Sequence, residues 1–97
     1  MINIKDDHLN IVQTILKPYD YKFYVFGSRV TNHAKPLSDI DLFYKEDIPE
    51  KTLLLIEEEF EESDLPYKVD LINYYSCDDN FNKIMDSNNI ILPKLDE

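Results

Sequence analysis

Asp39 and Asp41 stand two residues apart, with Ile40 between them and Leu42 following. On a β-strand, positions i and i+2 share a face, so this spacing projects both carboxylates together while Ile40 and Leu42 enter a core. Like charges held that close raise each other's proton affinity unless a cation sits between them. Oxygen-only ligands of this kind suit Mg²⁺. Asp-x-Asp by itself equally describes two acids facing water on a half-exposed sheet, so the surroundings decide. A third acid, Asp70, is embedded in Val69-Asp70-Leu71-Ile72, again a charge inside a strand-forming run. Upstream, Gly27-Ser28 contains the only glycine of the chain. A glycine at such a turn lets backbone N–H groups approach a phosphate, and the serine hydroxyl adds a donor. Asp39, Asp41 and Asp70 could therefore share two Mg²⁺ ions with a nucleoside triphosphate. One ion would hold the β- and γ-phosphates; the other would activate the attacking group and stabilise charge at the α-phosphorus.

These residues need elements to position them. Asp6-Asp7 followed by Leu9, Ile11, Val12, Ile15 and Leu16 predicts an amphipathic helix opened by carboxylates and stopped by Pro18. Tyr21 to Phe26 is aromatic and β-branched, a strand ended by Gly27. A short helical turn after Ser28 and a polar loop with Asn32 and Pro36 lead to a second strand, Ile40 to Tyr44. Asp47 and Pro49 open a longer helix with Leu53, Ile56 and Phe60 at helical spacing, ending before Pro66. Tyr67 to Tyr74 predicts a third strand, and Ser76-Cys77-Asp78-Asp79 a capping box before Phe81, Ile84 and Met85. Asn88-Asn89 can stop that helix in the left-handed conformation, leaving Ile90-Ile91-Leu92 as a last strand. The expected fold is a single α/β (α+β) domain over residues 1–97, a small mixed sheet of about four strands flanked by helices.

Composition narrows the partners. The 97 residues carry 20 Asp and Glu against 10 Lys and Arg, a formal net charge of −10. No basic footprint for phosphate backbones exists, which argues against direct nucleic-acid binding. The single cysteine, Cys77, has no disulfide partner and reads as packing. No apolar run approaches a membrane span and no signal peptide is evident, so a cytoplasmic, soluble protein is expected. A chain of this size leaves no room for a separate substrate domain. Its substrate is then small, or is brought by another protein. The run Glu57 to Glu62 points towards a basic protein partner or simply towards solubility, a solvated helix face being the expectation; His8 reads as structural or surface and His33 as an exposed loop residue. The seven tyrosines read as core and rim packing in a chain without Trp.

Gly27-Ser28, ten residues, then Asp39-Ile40-Asp41 resembles the G-S-x10-D-x-D signature of minimal nucleotidyltransferases in the DNA polymerase β-like superfamily. Phe26-Gly27-Ser28-Arg29 and Ser38-Asp39-Ile40-Asp41-Leu42 are similar to the wording of that family around its motif, and the likeness runs over nearly the whole chain. The resemblance implies the family's small mixed sheet. It implies Asp39, Asp41 and Asp70 as catalytic residues and ligands of two Mg²⁺ ions, Asp70 also being a candidate general base. It implies Gly27, Ser28 and Arg29 as contacts of ATP. Stand-alone domains of this family accompany a HEPN-domain ribonuclease toxin. The implied activity is transfer of AMP from ATP to a tyrosine of that toxin, making this chain the antitoxin. The alternative is an antitoxin that neutralises by binding alone. Where the family continues with a second arginine and a glycine, this chain has Thr31 and Asn32. Asn keeps a left-handed turn accessible, whereas loss of the arginine removes one phosphate or partner contact, leaving Arg29 and Lys35 to offset phosphate charge.

Overall fold

A computed structural model of the chain describes residues 2–31 and 35–95. Helix α1 (Asp6–Leu16) leads into strand β1 (Tyr24–Phe26), and Gly27–Arg29 form one 3₁₀ turn. Strand β2 (Ile40–Tyr44), helix α2 (Glu50–Glu61) and strand β3 (Val69–Asn73) follow; after a second 3₁₀ turn at Tyr74–Ser76 come helix α3 (Asp79–Ser87) and strand β4 (Asn89–Ile91). Among the described residues these strands form one sheet in the order β3-β2-β1-β4. β1 is antiparallel to β2 and β4, and β2 is parallel to β3. A parallel pair needs a crossover, and α2 supplies it.

The period of two along each strand divides the sheet into two faces. Val25, Ile40, Leu42 and Tyr44 point to one face, where Val12 and Leu16 of α1 and Ile56 and Phe60 of α2 bury them. Phe26 and Phe43 point to the other and pack on Met85 and Phe81 of α3. The Phe26 ring meets Phe43 at 5.5 Å and Phe81 at 5.9 Å, both edge-on. Such pairs add about 0.5–1.5 kcal/mol beyond burial alone. The acidic run on α2 follows the pattern expected of it, with Phe60 buried and Glu57, Glu58, Glu59, Glu61 and Glu62 in water. No helix among the described residues is long and apolar enough to cross a membrane.

Several boundaries differ from the sequence pattern, each for a local reason. β1 is shorter than Tyr21 to Phe26, because Tyr19 O accepts from Tyr21 N in a turn. Phe23 still pairs with the sheet through its carbonyl, which accepts from Leu92 N at 2.8 Å. The N-cap of α3 is Asp78 rather than Ser76: its Oδ1 accepts from Phe81 N at 2.8 Å. The expectation of a left-handed stop at Asn88-Asn89 is corrected. Asn88 is extended (φ −147°), and no non-glycine residue among those described has positive φ. Instead the Asn89 side chain donates from Nδ2 to Met85 O at 3.0 Å, satisfying a helix-end carbonyl while its backbone begins β4. Asn32 and His33 lie outside the described residues.

Candidate active site

Strand register brings the expected acids together. Phe26 of β1 is opposite Asp41 of β2, and Asp41 is beside Asp70 of β3. In-register neighbours share a face, so Asp41 and Asp70 project on the α3 side of the sheet, as does Phe43. Ile40 and Leu42, fully buried, anchor the strand from below. Asp39 immediately precedes β2 and is exposed, as is Asp70, whereas Asp41 is half-buried.

The pair is electrostatically strained. Burial raises the Asp41 carboxyl from its ordinary 3.8 to about 6. The charges of Asp70 and Asp39 and a side-chain hydrogen bond with Asp70 push the same way. One proton shared between two carboxylates lowers the cost of holding them so close. A divalent cation can do the same at higher pH.

Gly27 closes the site from β1. Its φ is +77°, a left-handed conformation that side chains rarely adopt. A Cβ there would sit 2.9 Å from Asp41 Oδ2, closer than real contacts allow. Glycine is therefore required twice, by the turn and by the space above the Asp41 carboxylate. Its carbonyl accepts from Val30 N at 3.1 Å and Thr31 N at 3.3 Å, closing the 3₁₀ turn that carries Ser28.

Arg29 goes inward. It is only 5% exposed. Its Nη1 donates to Asn3 O at 3.2 Å, its Nη2 donates to Ser38 O, and the guanidinium lies over the Tyr67 ring, 4.5 Å from the centroid. Asn3 N returns a bond to Arg29 O. Its cation ties the N-terminal segment to the residue before Asp39. His8 joins the same cluster through Nδ1, 3.1 Å from Tyr67 Oη. Nothing in the sequence pointed to Tyr67 or His8 here; the signal lies in contacts between distant positions.

An oxygen-only donor set of adjacent carboxylates, one of them raised to about 6 by its burial and by the charges of its acidic neighbours, fits a hard divalent cation. The space that Gly27 leaves at Asp41 Oδ2 fits it as well. Among the described residues no three acidic, imidazole or thiol groups converge as a metal cluster. Asp41 and Asp70 are in-register neighbours on one face, and Asp39 is near enough for its charge to raise Asp41.

Comparison with known proteins gives a consistent picture. The family model described as polymerase beta, nucleotidyltransferase, matches residues 10–97. The probable protein adenylyltransferase MntA of Haemophilus influenzae (strain ATCC 51907 / DSM 11121 / KW20 / Rd) is 40% identical over 88 residues, 87% of this chain and 77% of that protein. A crystal structure of a toxin–antitoxin with AMP-PNP matches with a TM-score of 0.64 at 18% identity, covering 90% of this chain and 73% of that one. At that identity the likeness speaks to fold, and the fold is the one built above: a small mixed sheet with helices on both faces. With the match spanning the Gly27 turn and all three acids, the chain belongs to the polymerase beta nucleotidyltransferase family, as one of its minimal members.

Proposed function

We propose that this nucleotidyltransferase moves AMP from ATP to a tyrosine hydroxyl of a partner HEPN-domain ribonuclease, and so acts as the antitoxin of a toxin–antitoxin pair. The observation that carries the reading is the Asp41–Asp70 pair set under the left-handed Gly27, an acidic centre beside the turn that carries Ser28. The relative from Haemophilus influenzae, a probable protein adenylyltransferase, supports AMP as the group transferred. The toxin–antitoxin with AMP-PNP supports the nucleotide and the biological setting.

In this reading Asp39, Asp41 and Asp70 hold Mg²⁺, and Gly27 and Ser28 hold the triphosphate through backbone N–H groups and the serine hydroxyl. Bound Mg²⁺ supplies charge neutralisation at the phosphates and polarises the α-phosphoryl group. The phenolic oxygen of the acceptor forms a bond to the α-phosphorus as the bond to the bridging oxygen of the β-phosphate breaks. Pyrophosphate leaves, and the phenolic proton passes to Asp70, the exposed member of the pair. Asp41, half-buried beside Asp70, would share the ion with it and so fix that carboxylate's orientation.

The test is incubation of the chain with ATP labelled at the α-phosphate, Mg²⁺ and a HEPN-domain ribonuclease from the same genome. Label is expected on a partner tyrosine, and none with Asp41→Asn or in EDTA. Neutralisation of the ribonuclease that survives alanine at Asp39, Asp41 and Asp70, with no label transferred, would replace this reading with an antitoxin that acts by binding alone.

A further inference from the structure

The open edge of β3 lies beside Asp70. Among the described residues β3 is the last strand of the sheet on that side, with β2 as its one strand neighbour. In a parallel ladder, a strand turns the N–H and C=O of alternate residues to opposite sides. Lys68 O accepts from Ile40 N at 2.9 Å, so Lys68, Asp70 and Ile72 address β2 while Val69 and Leu71 turn their amide groups outward. Such an edge is a template for one more strand. Behind it, on the α2 face, runs a groove of about 530 Å³ whose walls include Glu57, Phe60, Glu61 and Leu65.

From this geometry we infer that the β3 edge is the docking site of the acceptor polypeptide, which adds to the sheet as a fifth, extended strand. The inference rests on the transfer reading above and names how its acceptor is presented. A residue of the incoming strand opposite Asp70 must share Asp70's face of the sheet. A tyrosine at that position carries its hydroxyl over the Asp41–Asp70 pair. The residues before and after it then point to the other face, into the groove. There the apolar floor of Phe60 and Leu65 accepts side-chain stems, and Glu57 and Glu61 favour a cationic head; Lys68 is the one basic residue among those lining the groove. Main-chain bonds to Val69 and Leu71 supply affinity and register, and the groove supplies selectivity, as in other strand-addition complexes. The occupant is an extended acceptor segment with lysine or arginine on either side of its tyrosine. Placement of the acceptor thus depends on backbone pairing.

The experiment uses synthetic peptides with one tyrosine in a valine- and threonine-rich run, with either lysine or glutamate on both sides of it. A third peptide is the lysine form N-methylated at the tyrosine and both neighbours. Each is given to the full chain with α-labelled ATP and Mg²⁺, and hydrogen exchange is read at the Val69 and Leu71 amides. The lysine peptide is expected to protect both amides and to take label about tenfold faster than the glutamate peptide. The Glu57→Lys/Glu61→Lys double variant, altered only at exposed positions, should reverse that order while binding a fluorescent ATP analogue like the wild type. The N-methylated peptide should neither protect nor be labelled. Labelling without protection of Val69 and Leu71, or an unchanged order in the double variant, would overturn the docking site while leaving the transfer reading intact. Protection without label would do the reverse, keeping the docking site and removing the transfer.

Discussion

Replacing Asp41 by asparagine should make the protein more stable while ending its chemistry. In the folded chain the Asp41 carboxyl titrates at about 6 against an ordinary 3.8, raised first by burial and then by Asp70 and Asp39. A carboxyl whose folded value lies above its unfolded value adds no penalty below about pH 4 and its full penalty above about pH 6. Wild-type stability is therefore lost through this group as the pH rises across that window. At about 1.4 kcal/mol per tenfold change in proton affinity, the penalty is at most about 3 kcal/mol. The carboxyl is only half-buried, and water screens it, which brings the expected gain for Asp41→Asn to about 1–1.5 kcal/mol at pH 7.5. For a chain of this length that is roughly 4–12 °C in Tm. The assay is thermal and urea unfolding of both proteins in EDTA, at pH 7.5 and pH 4. The chain's net charge of −10 makes both respond to acid, so the difference between them is what counts. The variant should lead at pH 7.5 and the lead should shrink towards zero at pH 4. A variant less stable than wild type at pH 7.5, or a gap independent of pH, refutes the strained-pair account. Mg²⁺ should then raise the wild-type Tm and leave Asp41→Asn nearly unmoved, since only the intact pair gains from binding the ion.

Three further outcomes follow from the same geometry. Gly27→Ala should cost about 1–3 kcal/mol in urea unfolding, from the φ of +77° and the 2.9 Å approach to Asp41 Oδ2. It should also lower transfer by about a hundredfold through displacement of that carboxylate. Arg29→Lys loses the planar guanidinium that reaches Asn3 O and Ser38 O and lies over Tyr67, and should destabilise the fold by about 2–4 kcal/mol. ATP affinity, titrated well below the variant's melting temperature, should stay near wild type; a stable Arg29→Lys protein that has lost ATP would return Arg29 to the nucleotide. Asp78→Ala removes the N-cap bond to Phe81 and should cost about 1 kcal/mol in the same unfolding assay without changing kcat.

What the sequence made legible was whatever local patterning controls. The alternation around Ile40-Asp41-Leu42 told which side chains go down and which come up, and the isolated Asp70 marked the third strand. The pairing of Asp41 with Asp70 needed more: it depends on the register of a parallel ladder, which the path through α2 sets and no local pattern encodes. Arg29 shows the opposite case. Its place in the Gly-Ser-Arg string suggested a phosphate contact, yet its partners are carbonyls of Asn3 and Ser38 and the face of Tyr67, and a backbone carbonyl has no signature in sequence. Asn89 was read for its tolerance of the left-handed region, whereas its amide reaches back to Met85 O. Both Asn behaviours end helices, and only the surrounding strand pairing selects between them.

The sheet order also has a bearing on when the protein becomes competent. β1, whose end carries Gly27, lies between β2 and β4, and its second neighbour is made more than sixty residues after it. During synthesis, the two acids of β2 and β3 can meet while Tyr24, Val25 and Phe26 still have one flank unpaired. Pairing of Phe26 with Asn89 and of Val25 with Ile90 closes that flank and stiffens the strand leading into the Gly27 turn. Contacts so distant in sequence form late, because the intervening loop must be closed before they are rewarded. Activity should thus appear as an all-or-none event at the last strand's arrival, with few half-active chains before it.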